Sequence, residues 1–374
     1  MGEGLKRNIV VSAINIFEGG PLAILKKCLS DLQASRSEEF NIIALVNKKE
    51  TVGIPGIQYY EFPNSRKTWL HRLYHEYVYF KGLSRKLEPR LWLSLHDITP
   101  NVEAEIRAVY CHNPAPFYKI ALKDFVFEPT FGLFNLFYKY LYSINLKKND
   151  HIIVQQENIR ALFKNNYGVD NVIVAYPEND RADGARIADD ETFKSPASFI
   201  FPAFPRVFKN YELIGEAVKL LIKEGVDQFR VYFTISGDEN RYSKYIYREY
   251  GPIRNVRFLG VLKRDELERY YHEADCLLFP SKLETWGLPI TEFKKFGKPM
   301  LLADLNYAHE TLGSYGRVRF FNPAHPRELA DLMRDCMTKK ISFQTVEAKI
   351  PGQPFAYGWP ELFNLLLNNG KRAR

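Results

Sequence analysis

The chain is most easily bounded by what it lacks. Its four cysteines, Cys28, Cys111, Cys276 and Cys336, are widely scattered and form no CxxC pair. That argues against a zinc ribbon or a redox motif, and a reduced cytosolic compartment fits best. No apolar run approaches the roughly 20 residues needed to span a bilayer. The run Ile9 to Ile14, behind Lys6-Arg7, is too short for a secretory signal and too soon followed by Glu18-Gly19-Gly20. The absence of GxGxxG weakens a nicotinamide-binding reading. HExxH is absent as well; His71 and His75, four residues apart, would share a helical face, but the sequence offers no third ligand. No bound metal and no resident cofactor is therefore expected. No internal repeat or low-complexity segment occurs.

What is present belongs to a globular α/β protein. Hydrophobic residues make up 46% and charged residues 26% of the chain, ordinary values for a packed core with a solvated surface. At 374 residues the chain is long for one core, so two domains are expected. The net charge of +8 suits anionic partners such as sugar nucleotides or a membrane face, and does not single out nucleic acid.

Short apolar runs predict strands at 8–12, 42–46, 57–62, 91–95, 108–111, 152–155 and 172–175, with helical stretches between several of them. This alternation argues for a parallel, doubly wound sheet. Gly19-Gly20, between the first strand and a helix over 21–32, lets backbone amides approach a ligand or forms a plain turn. His112, in Cys111-His112-Asn113-Pro114, stands at a strand's C-terminal end, where ligands bind in open α/β sheets; a satisfied strand-end histidine is the alternative. The polar segment 178–190 reads as a linker. A second series follows: strand 199–201, helix 211–223, strand 229–236 ending at Gly237, strand 256–259 and strand 276–279. Helices are expected over 325–337 and 359–368.

Two further stretches are rich in aromatic residues. Residues 66–90 interleave Arg66, Lys67, Arg72, Lys81, Arg85, Lys86 and Arg90 with Trp69, Tyr74, Tyr77, Tyr79 and Phe80. A solvated helix with an aromatic core face is favoured there over a basic face lying on anionic lipid. Phe125, Phe127, Phe131, Phe134, Phe137, Tyr138 and Tyr140 follow, and core packing is the simpler account of them than a hydrophobic acceptor groove.

The chain is organised around Phe279 to Met300, FPSKLETWGLPITEFKKFGKPM. It reads as a strand end, a loop, a glycine turn at Gly287, a helix with Pro289 at its first position, and a stop at Gly297-Lys298-Pro299. Amides of Gly287 and Leu288, at a helix N-terminus after a parallel strand, suit an anion. Glu284 in the loop and Glu292 in the expected first helical turn can face one small ligand, or can be a solvated acid and a dipole-favoured acid.

Glu284 and Glu292, with seven residues between them and GKP after, resemble the EX7E motif of retaining GT-B glycosyltransferases, family 4 above all. Phe258-Leu259-Gly260, Asp265-Glu266-Leu267, Tyr271, Ala274-Asp275, Phe279-Pro280-Ser281, Glu310, Phe321-Asn322-Pro323 and Glu328-Leu329-Ala330 continue the likeness over residues 255–335. The resemblance implies a GT-B architecture, two Rossmann-like domains with parallel sheets facing a central cleft. Residues 1–177, completed by a C-terminal helix within 355–374, would form the acceptor domain, and 178–354 the nucleotide-sugar donor domain. It implies a retaining hexosyltransferase that needs a nucleotide diphosphate sugar as co-substrate and no metal. The acceptor would be a glycan or lipid-linked sugar, in cell-surface polysaccharide synthesis at or near the inner membrane face.

The resemblance also implies roles. Glu284, His112 and Lys209 would be catalytic, with Glu284 at the transferred sugar, His112 near the sugar or the acceptor, and Lys209 on the diphosphate. Gly19, Gly20, Arg206, Gly237, Leu262, Gly287, Leu288 and Glu292 would bind donor, Glu292 through the ribose hydroxyls. The family's arginine would fall on Phe204, and Arg206 stands two residues later. A non-catalytic sugar-nucleotide-binding protein of the same fold is the alternative.

Overall fold

A computed structural model describes residues 6–177 and 193–368. The expected linker 178–190 lies outside the described residues. In chain order the strands are β1 (Arg7–Ala13), β2 (Phe40–Val46), β3 (Gln58–Glu61), β4 (Pro89–Ser94), β5 (Ile106–Cys111), β6 (His151–Val154), β7 (Val172–Tyr176) and β8 (Ala197–Phe201). Then come β9 (Phe229–Phe233), β10 (Val256–Phe258), β11 (Cys276–Phe279), β12 (Met300–Ala303), β13 (Tyr315–Phe321), β14 (Gln344–Val346) and β15 (Phe355–Tyr357).

They form two sheets, one in each of two compact units. The first unit comprises Met1–Phe117, Phe137–Asp180 and Pro351–Arg374. Its sheet runs β15-β7-β6-β5-β4-β1-β2-β3, parallel throughout. Val10, Val11, Leu91, Leu93, Ile152 and Val174 are fully buried, as strands covered on both faces by crossover helices must be. The second unit comprises Tyr118–Leu136 and Arg181–Ile350. Its sheet runs β10-β9-β8-β11-β12-β13-β14, parallel except for the antiparallel edge strand β14. Both are Rossmann-like.

Three differences from expectation have physical reasons. The C-terminal segment joins the first unit through a strand as well as a helix: β15 pairs with β7 before the helix Gly358–Asn368 begins. Three residues are too few for a periodicity to show. Trp359 on that helix stacks on Tyr110 of β5 at 5.2 Å. Second, Tyr118–Leu136 groups with the second unit rather than with the strands around it in sequence. Phe127 packs on Tyr242 and Tyr245, and Phe131 on Phe208.

Third, the two aromatic stretches are not simply core. The expected helix over 66–90 is a helix Trp69–Tyr74, a π-turn His75–Tyr79 and a helix Phe80–Leu87, after which β4 starts at Pro89. Phe80 is buried, but Trp69, Tyr74 and Tyr79 are exposed. In the helix Pro129–Ser143, Phe131 and Tyr138 are buried while Phe137 and Tyr140 face outward. All four cysteines are buried and unpaired.

Candidate functional site

The loop after β11 is held in place before any ligand is considered. Lys282 N–H donates to Phe208 O at 2.7 Å, Tyr307 Oη to Ser281 O at 2.7 Å, and the Thr311 hydroxyl to Trp286 O. Gly287 turns the chain at φ 90°, where an L side chain is strained, and an added Cβ would stand 3.4 Å from Ile290 and 3.6 Å from Phe279. The helix then runs Leu288–Lys294, with Leu288 first and Pro289 second. It is one residue longer at its start than expected, which moves Glu292 out of the first turn. Glu292 instead accepts a hydrogen bond from Tyr271 Oη at 3.2 Å, tying its helix to Arg264–Glu273. Burial raises the Glu292 pKa against the pull of the nearby Arg264 charge.

Lys298 of the GKP sequence points the other way. It is buried and donates to Tyr271 O at 3.5 Å, Ala274 O at 2.9 Å and His272 O, the carbonyls at the C-terminus of helix Arg264–Glu273. A lysine there satisfies orphan carbonyls and complements the helix dipole. Its role in this chain is structural.

Lys209 and Glu284 meet. Lys209 ends the short turn Val207–Lys209, and its ammonium pairs with a Glu284 carboxylate oxygen. Both side chains are mostly buried. The ammonium also lies 5.7 Å from the ring centroids of Phe208 and Phe279. Asn210, at φ 63°, reverses the chain into helix Tyr211–Lys223 and donates through Nδ2 to Pro280 O at 3.3 Å and Pro323 O at 2.9 Å. One amide thus links the lysine's turn to the loop of Glu284 and to the loop after β13. An asparagine in the left-handed region is the residue that tolerates such a turn while keeping a donor.

Arg206 is engaged by a residue that was not singled out in the sequence. Its Nε lies 2.7 Å from Glu128, whose other carboxylate oxygen accepts from Val207 N–H at 3.5 Å. The guanidinium also sits 5.3 Å from the Phe131 ring centroid. Burial raises the Glu128 pKa, opposed by Arg206. Nothing local to Arg206 predicts this pair, because Glu128 is brought in by the excursion Tyr118–Leu136.

Gly237, at φ 99°, follows β9; a Cβ there would strike Tyr247 at 2.5 Å. The amides of Gly237 and Ser236 donate to Glu239 at 3.0 and 2.6 Å. Burial works against the Glu239 charge, but those amides and the Ser236 hydroxyl outweigh it and hold the carboxyl below its ordinary range. Leu262 is half-buried between the Gly260 turn and the helix starting at Arg264.

In the first unit, Gly19 (φ 67°) and Gly20 open the helix Gly19–Arg36 directly, two residues before the expected start at Pro21. No side chain caps that end. His112 follows β5; its N–H donates to Asp97 Oδ1 at 2.7 Å, and its Nε2 lies 3.9 Å from Asp97 Oδ2. Asn113 N–H donates to the same Oδ1 at 3.1 Å. Asp97 holds a left-handed φ of 69° to do this. His71 meets the Thr68 hydroxyl at 2.8 Å, and His75 packs edge-on against Phe62 and Tyr79.

Beside Asp97 lies a buried charged group that the sequence did not suggest. Glu76, on the π-turn, has no solvent exposure, and its Oε1 is 3.0 Å from His96 Nδ1 and 3.7 Å from Arg72 Nε. His96 Nε2 is 3.1 Å from Ser12 Oγ, and Arg72 donates to His96 O at 2.9 Å. Burial drives the Glu76 pKa up to about 8, against Arg72, and drives that of His96 well below its ordinary value, with the Arg72 charge adding to the effect.

Residues 192–348 match the model of a family described as Glycosyl transferases group 1. No curated relative of the chain is found at significant similarity. Among solved structures, the apo lipopolysaccharide outer core galactosyltransferase WaaB is 12% identical, with a TM-score of 0.64 over 90% of this chain and 92% of its own. WaaG, a glycosyltransferase of lipopolysaccharide biosynthesis, is 13% identical, with a TM-score of 0.61 over 88% and 90%. HepE from Anabaena, in complex with UDP-glucose, is 14% identical, with a TM-score of 0.57 over 89% and 91%.

Proposed function

We propose that this protein, whose residues 192–348 match the Glycosyl transferases group 1 model and whose chain has the GT-B fold, is a retaining hexosyltransferase using a nucleotide diphosphate sugar. The pairing of Lys209 with Glu284 carries the reading. It sets the two residues that the family pattern assigns to diphosphate and sugar side by side, at the C-terminal end of a parallel strand. Open α/β sheets bind ligands at that end. In a neighbour of the same fold, HepE, the bound molecule is UDP-glucose, which supports a nucleotide-sugar donor here.

In this reading Lys209 exchanges Glu284 for a diphosphate oxygen when donor binds. The charge-assisted bond to phosphate stabilises the leaving group as its negative charge grows. Glu284, released, accepts from a hydroxyl of the transferred sugar. Gly287 lets backbone approach the phosphates, and Glu292 takes the ribose hydroxyls in exchange for its bond with Tyr271. The anomeric carbon–oxygen bond to the diphosphate breaks, and the acceptor hydroxyl bonds to the same face. Its proton passes to the departing phosphate oxygen, so configuration is retained. Gly237 and Leu262 are assigned to the nucleotide, and Arg206 to the diphosphate once Glu128 yields it. His112 and the Gly19-Gly20 turn keep the assignments that the resemblance gives them, and the acceptor is a glycan or lipid-linked sugar of a surface polysaccharide.

The test is a panel of nucleotide sugars, scored for thermal stabilisation and for slow hydrolysis, with Glu284→Gln beside the wild type. One donor should stabilise both proteins and be hydrolysed only by the wild type. Stabilisation without turnover in either protein, on any acceptor extract, would favour a sugar-nucleotide-binding protein instead.

A further inference from the structure

The stretch from Trp69 to Leu87 has its amphipathicity reversed. A solvated helix places its acid outward and its aliphatic residues inward. Here Glu76 is fully buried, whereas Leu70 is 77% and Val78 59% exposed, with Trp69, Tyr74 and Tyr79 exposed beside them. The π-turn His75–Tyr79 lies in the middle of this stretch. Trp69 packs on Tyr138 of helix Pro129–Ser143 at 6.4 Å between ring centroids, and next to Tyr138 on that helix Phe137 and Tyr140 are each 62% exposed. The first unit therefore carries a joined apolar patch on two helices.

The exposed charge on these two helices is positive, with the acids Glu88 and Glu103 exposed beside them. Lys67, Lys81, Lys86, Lys139, Lys147 and Lys148 are all exposed, and Glu76, the one acid between residues 66 and 87, faces inward. Arg85 is neutralised by Glu103 and does not count. Leu70, Tyr74, Val78 and Lys81 recur at helical spacing, so apolar side chains and a lysine share one outward face. Exposed aromatic and aliphatic groups on helices that also carry exposed lysines match the boundary between anionic headgroups and acyl chains, where tyrosine and tryptophan rings are favoured.

We propose that this face docks the protein peripherally on an anionic lipid bilayer, with Leu70, Val78 and Phe137 entering the headgroup boundary and the lysines holding the surface charge. No helix among the described residues is long and apolar enough to cross a membrane, so the contact is interfacial. It is independent of any reaction at Lys209 and Glu284.

Co-sedimentation of the full chain with vesicles tests it, using phosphatidylcholine alone and phosphatidylcholine with phosphatidylglycerol. The protein should pellet with the anionic vesicles and be released by salt. Neutralising Lys67, Lys81 and Lys86 to Gln should lower the partition coefficient about fivefold per residue. Leu70→Ser with Phe137→Ser, both exposed and so neutral to folding, should abolish binding at an unchanged melting temperature. Equal recovery with both vesicle types, or binding untouched by the Leu70 and Phe137 changes, overturns the proposal. So does sedimentation velocity showing a dimer that Leu70→Glu dissolves in a protein that ignores vesicles, since the patch would then be a contact between copies. Donor binding, measured in parallel without lipid, keeps this outcome separate from that of the transferase reading.

Discussion

Glu76→Gln should make the protein more stable at neutral pH, although the carboxyl it replaces lies 3.7 Å from Arg72. The carboxyl has no exposure, and its pKa in the folded state is about 8 against an ordinary 4.5. An acid whose folded pKa is raised binds its proton more tightly in the folded state. Its contribution is complete below pH 4.5 and is lost as pH rises through about 8. At about 1.4 kcal/mol per pH unit, that interval amounts to about 5 kcal/mol in all, of which about 3 kcal/mol is already gone at pH 7. Glu76 Oε1 faces His96 Nδ1 at 3.0 Å, and His96 Nε2 faces Ser12 Oγ at 3.1 Å. A glutamine amide keeps that shape without a carboxyl that can ionise. Burial also lowers the His96 pKa, an effect common to both proteins that cancels in their difference. Urea unfolding followed by tryptophan fluorescence reports on this unit, because Trp69, Trp92 and Trp359 lie in it. Wild type and variant should coincide near pH 4.5 and diverge by about 3 kcal/mol at pH 7, with the variant the more stable. Parallel pH profiles for the two proteins would refute the reasoning, since they would mean that Glu76 ionises in the folded state as readily as in the unfolded chain.

The remaining predictions concern the candidate site. Lys209→Ala should weaken nucleoside-diphosphate binding by about 1.5–3 kcal/mol, the range for hydrogen bonds to charged groups; unchanged calorimetric affinity would remove the lysine from the diphosphate. Glu284→Gln should lower kcat, because the sugar it holds gains positive character in the transition state. Glu292→Gln should raise KM instead, because the ribose is unchanged by the reaction. Melting temperatures belong beside both measurements, since Glu292 also accepts from Tyr271. Wild-type kcat and KM in both variants, with stability alone reduced, would make the two acids purely structural.

Much of the fold was legible because it rests on local pattern. The strands Cys276–Phe279 and Val172–Tyr176 are apolar runs bounded by turn residues, and helix Tyr211–Lys223 alternates at helical period; such features need no distant partner to be recognised. Gly287 and the carboxylates Glu284 and Glu292 stood out within their own short segment, but their roles, and Lys209 altogether, came from the resemblance to the family. What Glu292 bonds to was not legible. Its place in the second turn follows from a helix that opens at Leu288, and helix boundaries shift by a residue with caps and tertiary contacts.

The sequence by itself determined two α/β units, their parallel strands and the loops that end them, since periodicity and turn chemistry act over a few residues. Only the tertiary structure decided which charges meet. Glu284 reaches Lys209 across 75 residues of sequence, Glu128 reaches Val207 across 79, and Glu76 lies against His96 in a buried pocket under an outward apolar face. Composition could not foresee that reversal of the stretch around Glu76. A side chain's environment is set by the elements packed on it, and here Arg72 and His96 lie against Glu76 while Leu70 and Val78 are left exposed.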